Sequence, residues 1–489
     1  MTTECSEPKL LFQAHGGRTV EAAFDGGMIT SDGGGLLLRE LELKRQIVSD
    51  FARCFTDHRD PGMIEFTVEQ LLKQRIFGLA LGYEDLNDHD RLRVDPLLAL
   101  VCGRADVTGQ ERRCAADKGK PLAGKSTLNR LELWSTPAEG ESEERTRNRI
   151  YKRIEVDAAK VDEFFLNQFF HAHRTIPMRV YLDLDVTDDR VHGLQEGRHF
   201  NGYYDDYIYL PLYIFCGDEL LCARLRTADK GAAHGVLDEV KRIVAAIRKR
   251  WPKTEIVLRG DSGFCDDEVM QWCETQTDVF YLFGLAGNAR LLREIERQTE
   301  QAKLRCEVTE QAARVFSEFK YATLKSWACA RRVVAKAEYL PGAPGKANPR
   351  FVVTSLPEWE ETWAGELEWN DARTVYEKLY CARGEMENRI KEQQLDLFAD
   401  RTSTHWLAAN QLRLWLSSVA YVLLNEVRRI GLVGTQLERA YVGTIRAELC
   451  KIGAVVKVSV RRIFLALSSA YPRAELFRTV LARLRAAPA

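Results

Sequence analysis

Two runs decide the fold: Tyr181-Leu-Asp-Leu-Asp-Val-Thr187 and Ile256-Val-Leu-Arg-Gly-Asp-Ser-Gly263. In the first, Val180, Leu182, Leu184 and Val186 alternate with Tyr181, Asp183, Asp185 and Thr187. Successive side chains of a strand point to opposite faces, so one face is apolar and the other carries two carboxylates. The second run reads as a strand that ends in Asp261. Further out, Tyr207 to Phe215 and Leu220 to Arg226 read as strands joined by the hairpin sequence Cys216-Gly-Asp-Glu219. Pro211 inside the first of these favours an edge or a bulge. His234 to Trp251 is an amphipathic helix, Glu255 to Arg259 a strand, Asp266 to Thr275 a short helix and Asp278 to Leu285 another strand.

The order β-β-β-α-β-α-β predicts an α/β fold of ribonuclease H-like type, three antiparallel strands followed by parallel ones joined through helices. Such a core still lacks its last helix at residue 285. The next suitable helix begins near Asp371 and carries Glu387. The intervening segment contains apparent strands (Arg314 to Phe319, Trp327 to Ala335, Arg350 to Thr354), and loops without structure are rarely so long, which points to an inserted subdomain. The expected organisation is a helical N-terminal region over 1–175, the first part of the catalytic core over 176–287, and an inserted, mainly β subdomain over 288–370. The last catalytic helices follow over 371–430 and a basic C-terminal region over 431–489.

Acids at a strand centre, a strand end and a later helix are what a two-metal phosphoryl-transfer site is built from. Magnesium takes oxygen ligands, usually one or two carboxylates with water and phosphate. Asp183 and Asp185 share a strand face, about 7 Å apart by strand geometry, and either could be the first acid. Asp261 closes a strand that would lie beside them. On the later helix Tyr380, Arg383 and Glu387 fall within roughly 60° of one another at 100° per residue, and Lys391 joins that face.

Composition narrows the class. With 489 residues, 45% hydrophobic and 29% charged, the chain can bury sizeable cores. A net charge of −1 gives no global attraction to nucleic acid, so any such partner must be met by local patches. Arg104 to Arg130 holds seven bases against three acids, and Arg446 to the end nine against two. Ser355 to Asp371 holds six acids and no base. The twelve cysteines show no zinc spacing and read as reduced, pointing to a cytoplasmic protein. Met1 to Leu10 has no apolar run of a signal peptide. Trp406 to Val427 is interrupted by Asn410, Gln411, Arg413 and Asn425, against a membrane span.

Gly119-Lys-Pro-Leu-Ala-Gly-Lys-Ser126 spells a phosphate-binding loop, G-x-x-x-x-G-K-[ST], and makes a P-loop ATPase an alternative. The motif needs a buried strand before its first glycine. Glu111-Arg-Arg-Cys-Ala-Ala-Asp-Lys118 is too polar to be one, so no nucleotide is expected and Lys125 reads as part of a basic loop.

The chain resembles the DDE transposases of bacterial insertion sequences, in particular the family called IS-thirteen-eighty, relatives of the IS-four group. The resemblance runs through Leu86-Asn-Asp88 with Asp95-Pro96, Ser126-Thr-Leu-Asn-Arg130, Asp185-x-Thr187 with Val191-His-Gly193, and Arg259-Gly-Asp-Ser-Gly-Phe264. It continues in Tyr380-x2-Arg383-x3-Glu387-Asn388, Lys451-Ile-Gly453 and Ser459-Val-Arg-Arg462. It implies Asp185, Asp261 and Glu387 as the catalytic, metal-holding triad, with Mg²⁺ or Mn²⁺. Tyr380 and Arg383 would hold DNA phosphate beside the cleavage point. The family signature places a lysine seven residues after the glutamate; here that residue is Gln394, and Lys391 is the candidate substitute. Arg112, Arg113 and Lys125, with Lys118 and Lys120, would grip the element ends. In the insertion, Lys325, Arg331 and Arg332 would contact DNA and Trp327 would stack on a flipped base.

The implied activity is hydrolytic cleavage at the terminal inverted repeats and joining of the freed 3′-hydroxyls to target double-stranded DNA. A homodimer on DNA, associated with the bacterial nucleoid, goes with it. A catalytically silent DNA-binding protein derived from a transposase is the other alternative.

Overall fold

Strand β1 (Arg179–Val186) sends Val180, Leu182 and Leu184 into the main apolar core, while Tyr181 packs on a second cluster. The computed structural model describes residues 9–132, 154–342, 346–361, 367–369 and 371–488. They divide into two units. One comprises Met1–Asp157, Leu395–Arg401 and Trp415–Ala489, the other Ala158–Gln394 and Thr402–Leu414.

The second unit is built on a nine-stranded sheet. Its members are β1, β2 (Leu212–Cys216), β3 (Glu219–Arg224), β4 (Glu255–Gly260), β5 (Val279–Leu285), β6 (Ala313–Tyr321), β7 (Arg331–Leu340) and β8 (Arg350–Thr354). They run in the order β3-β2-β1-β4-β5-β8-β7-β6, with Lys346–Ala347 paired to β7. β1, β2 and β3 are antiparallel neighbours, and β4 and β5 are parallel to β1. Helices α1 (Ala158–Ala172), α2 (Val236–Arg250) and α3 (Asp267–Thr275) bury Phe169, Val240, Ile243 and Met270 on the Leu182–Leu184 side. Each fully buried aliphatic side chain there contributes about 1.5–3 kcal/mol. On the opposite side Val257, Leu282, Val334 and Val352 pack against Val375 and Tyr376. The chain around Glu387 therefore covers the sheet face that carries Asp183 and Asp185.

Three readings need amendment. The strand expected over Tyr207 to Phe215 is broken at Pro211. Asp206–Tyr209 joins a separate small sheet with Asp189–Arg190 and His199–Asn201, while β2 enters the main sheet. Proline has no N–H for a ladder, which makes it the natural point of exchange between sheets. The second concerns 288–370, where β8 pairs with β5, β7 with β8 and β6 with β7, so that these strands prolong the core sheet. Helix α4 (Glu296–Thr309) packs on β6 and β7. The third is the helix of Tyr380 and Glu387, which is not regular. It passes through Ala372–Thr374 (α), Val375–Tyr380 (π), Cys381–Arg383 (3₁₀) and α5 (Gly384–Lys391), then Glu392–Asp396 (π).

In the first unit Leu36–Arg45 and Val68–Ala80 are helices that bury their apolar faces, the latter with a Thr67/Gln70 capping box. The tail packs back on the start of the chain. A Cβ on Gly34 would lie 1.8 Å from the Leu449 carbonyl oxygen, so this close approach requires glycine. The sequence of Thr127 to Trp134 also reads as a helix, and the described helix there is Lys125–Glu132; residues 133–153, which include part of a further stretch whose sequence reads as helical from Glu143, lie outside the described residues. Among the described residues no helix is long and apolar enough to cross a membrane.

Candidate active site

Register selects between the two strand acids. Asp183 lies opposite Arg259 across the parallel β1/β4 pair. Arg259 donates Nε to Oδ1 at 2.6 Å and Nη2 to Oδ2 at 2.8 Å, and Nη1 to the Leu379 carbonyl at 2.7 Å. Both residues are buried, and the guanidinium lies over the Tyr181 ring at 4.5 Å. Asp183 is thus spent on an internal ion pair. Two residues further along come Asp185, near the end of β1, and Asp261, directly after β4, within reach of each other's charge.

Asp185 accepts from the Val186 amide at 2.9 Å and from Arg383 Nη1 at 3.3 Å. Burial, together with the charges of Asp261 and Glu387, pushes its carboxyl up to about 6 against the pull of Arg383. Asp261 caps the turn Ser262–Phe264, with Oδ1 accepting from the Gly263 amide at 2.8 Å. Glu387, half-exposed on α5, stands 3.7 Å from Arg383 Nη2. It forms no ion pair with Lys391, which is exposed. Against its own burial, the Arg383 guanidinium is held in its charged form by Asp185, Tyr380, Asp261 and Glu387. One arginine therefore sits among three carboxylates that come from two strands and a helix.

Tyr380 reaches the same place. Burial raises its phenol, with Asp261 adding to this and Arg383 opposing it. β5 passes so close that a Cβ on Gly284 would lie 2.7 Å from the Tyr380 hydroxyl, 2.9 Å from the Ser262 nitrogen and 3.1 Å from the Asp261 carbonyl carbon. Gln394, where the resemblance places a lysine, donates Nε2 to the Asp188 carbonyl at 3.1 Å and accepts from Thr187 Oγ1 at 3.3 Å. This ties the end of the helical segment to the strand of Asp185. The π and 3₁₀ turns at Tyr380–Arg383 break the 100° arithmetic, as insertions at functional sites often do.

Sequence reasoning missed Tyr204. It packs, as Val186 does, on the small Ile208–Leu210–Ala228 cluster, and burial, then the charges of Asp188, Asp185 and Asp261, push its phenol up to about 12. The Asn201 side chain accepts from the amides of Tyr203 and Tyr204 and so fixes this turn. Tyr203, 88% exposed, stands edge-on to Tyr204 at 4.9 Å. The signal was Asn201-Gly-Tyr-Tyr-Asp-Asp206, a turn sequence with two aromatics.

The remaining candidates lie elsewhere. Arg331 is buried and paired with Asp267 at 2.6 Å and Glu274 at 2.7 Å; Arg332 is buried and paired with Glu318. Trp327 packs on the main core, edge-on to Tyr321 at 5.8 Å and beneath Arg331 at 5.5 Å. In the first unit Arg112 is buried against Glu65 at 2.6 Å and donates to the Lys120 and Leu122 carbonyls. Arg113 is exposed and donates to the Gly62 carbonyl at 2.9 Å. Lys125 donates to Asn87 Oδ1 at 3.1 Å and pairs with Asp90 at 3.4 Å. The Gly119–Ser126 loop is preceded by the 3₁₀ turn Ala115–Asp117 rather than a strand. Its amides are engaged internally, Gly119 with the Gly109 carbonyl and Lys125 with Asp90.

Among the described residues no group of three His, Cys, Asp or Glu side chains stands close enough to hold one ion. The donor chemistry nevertheless suits a hard cation. Magnesium at phosphoryl-transfer sites takes one or two carboxylates and completes its shell with water and phosphate. Asp185 and Asp261 would supply that pair, and the burial and like charge that raise Asp185 are what added positive charge would relieve.

The family model described as Transposase DDE domain group 1 matches residues 12–489. No curated protein matches the chain. Among solved structures it is similar to the piggyBac transposase in a cryo-EM synaptic complex with hairpin DNA. That match has 10% identity and a TM-score of 0.41, over 86% of this chain and 80% of that one.

Proposed function

The chain belongs to the family of transposases with a group 1 DDE domain, and from that premise we propose that it is a DNA transposase with a ribonuclease H-like catalytic core. The strand order β3-β2-β1-β4-β5, antiparallel and then parallel, is the order of such a core and supports the reading. The observation that carries it is the gathering of Asp185, Asp261 and Glu387 around Arg383.

In this reading Asp185 and Asp261, with Glu387, hold Mg²⁺, for which Mn²⁺ can substitute. When bound, the metal supplies charge neutralisation at the scissile phosphodiester and activation of the attacking oxygen. The chain's own groups do the rest. Arg383 and Tyr380 present a guanidinium and a hydroxyl toward the DNA phosphate, and charge-assisted bonds of this kind fix a phosphate's orientation. Lys391, exposed one turn beyond Glu387, adds a cation along the backbone. Arg383 pairs with Asp185 and Glu387 and so neutralises part of the charge that a bound metal would otherwise offset. The substrate is double-stranded DNA carrying the terminal inverted repeats. The freed 3′-hydroxyls join target DNA, and a homodimer holds two ends. Of the bases first placed on DNA, Arg113 and Lys125 keep accessible positions, whereas Arg112, Arg331 and Arg332 serve internal ion pairs and Trp327 the core.

The test is cleavage in Mg²⁺ of a labelled fragment carrying the DNA that flanks the gene, run beside a gel shift. Asp261→Asn and Glu387→Gln are expected to lose cleavage and keep binding. Normal cutting by either variant sinks the triad, and a wild-type protein that binds but never cuts supports the silent DNA-binding alternative.

A further inference from the structure

The C-terminal motif Ser459-Val-Arg-Arg462 plays no part in the carboxylate site, yet its geometry is specific. Ala454–Ser459 and Arg462–Leu467 form an antiparallel hairpin whose tip is Val460-Arg461. Met28–Thr30 pairs along its base, from Ala454 to Val456. Beyond Val456 the ribbon is two-stranded, and its outward face presents Lys457 directly opposite Phe464, with Ser459 opposite Arg462. Val460 is fully exposed and Phe464 is 52% exposed.

From Leu449 to Ala474 the sequence has five bases and no acid. The two outer bases are neutralised at home, Lys451 by Asp32 at 2.6 Å and Arg473 by Glu448. Among the described residues no ion pair reaches Lys457, Arg461 or Arg462. Elsewhere in the chain arginines such as Arg259, Arg331 and Arg112 are paired and buried. Three unneutralised cations with an exposed aromatic, on the free half of a two-stranded ribbon, suit a polyanion that a ribbon can enter. The DNA major groove is wide enough to admit such a ribbon, and phosphates flank it on both sides.

We propose that the ribbon 457–464 is a contact surface for duplex DNA, with Lys457, Arg461 and Arg462 on phosphates and Phe464 and Val460 toward the groove. This deepens the transposase reading and rests on it. Three phosphate contacts release bound counterions, so they set a share of the salt dependence of binding, about 0.9 per contact in the slope of log K against log salt.

The experiment measures fluorescence anisotropy of a labelled duplex a few turns long, across a salt series in EDTA so that no cleavage intervenes. Wild type is compared with the triple variant Lys457→Gln/Arg461→Gln/Arg462→Gln and with the charge-preserving Lys457→Arg/Arg461→Lys/Arg462→Lys. The neutral variant is expected to melt at the wild-type temperature and to lose about 2.7 from the salt slope, while the charge-preserving variant keeps it. A neutral variant that binds with the wild-type slope overturns the ribbon assignment alone. A wild-type protein that binds no duplex overturns the transposase reading and this inference with it. Loss of slope accompanied by a large drop in melting temperature, reproduced in the charge-preserving variant, assigns the residues to folding and also overturns it.

Discussion

Asp183 and Arg259 face each other across two parallel strands and close a two-pronged ion pair at 2.6 and 2.8 Å, buried beneath Tyr380's helical segment. The pair removes one of two chemically identical candidates from the site. Removing one partner of a buried pair costs about 3–5 kcal/mol, because the other charge is stranded. Asp183→Ala is therefore expected to lower the urea midpoint strongly, whereas Asp185→Asn leaves it near or above wild type and loses cleavage. Asp183→Leu combined with Arg259→Met should recover part of the stability. An Asp183→Ala protein as stable as wild type would contradict the assignment.

Gly284 keeps Asp261 and Tyr380 in place by having no side chain. A methyl group there meets the Ser262 nitrogen and the Tyr380 hydroxyl at under 3 Å. Gly284→Ala is expected to cost about 1–3 kcal/mol and to reduce cleavage far more than DNA binding. Cleavage rates and thermal melts of the same preparation decide it; full activity would show that β5 yields without disturbing the site.

Arg331 joins β7 to α3 through Asp267 and Glu274. Arg331→Ala should lose about 3–5 kcal/mol of stability and leave the salt slope of DNA binding unchanged. A slope that falls by about one with stability intact would return this residue to the DNA surface.

His89 gives the first unit a pH dependence. Its ring is fully buried between Gln74 and Arg75, and burial, with the Arg75 charge, holds it well below the ordinary value of 6.5. The unfolded chain takes up a proton there that the folded one refuses. The stability this group contributes is thus complete above 6.5 and is lost as pH falls below that value, by at most about 1.4 kcal/mol per pH unit. Urea unfolding between about pH 7.5 and 5.5 should show this slope, and His89→Gln should flatten it. Equal slopes in both proteins would place the pH sensitivity elsewhere.

Lys125 tests the phosphate-loop sequence. With its side chain on Asn87 and Asp90 and its amide on Asp90, no saturable ATP binding is expected by equilibrium dialysis, and end cleavage should run on Mg²⁺ without ATP. Lys125→Ala should weaken DNA binding modestly, with about one unit less salt slope. Micromolar ATP binding that disappears in Lys125→Ala would promote the ATPase reading.

The sequence by itself determined the alternating strand of Tyr181 to Thr187, most of the succession of strands and helices through Leu285, and the choice of candidate acids. These are local matters: period two against period 3.6, and turn residues between them. Strand periodicity could not choose between Asp183 and Asp185, which share a face and a chemistry; only the resemblance through Asp185-x-Thr187 favoured Asp185. In the structure the register of β4 against β1 sets Arg259 opposite Asp183, while Asp185 feels the charges of Asp261 and Arg383. Nor could the sequence tell a buried arginine from a free one. Arg112, Arg331 and Arg332 look like DNA contacts in a basic run, and their acidic partners, Glu65, Asp267, Glu274 and Glu318, are brought to them by tertiary folding. The one-face helix of Tyr380, Arg383 and Glu387 was legible as a grouping but not as a geometry, because the π and 3₁₀ turns answer to packing on the sheet rather than to propensity. Pairing across distant segments is decided by burial and register over the whole chain, and no window of neighbouring residues contains that information.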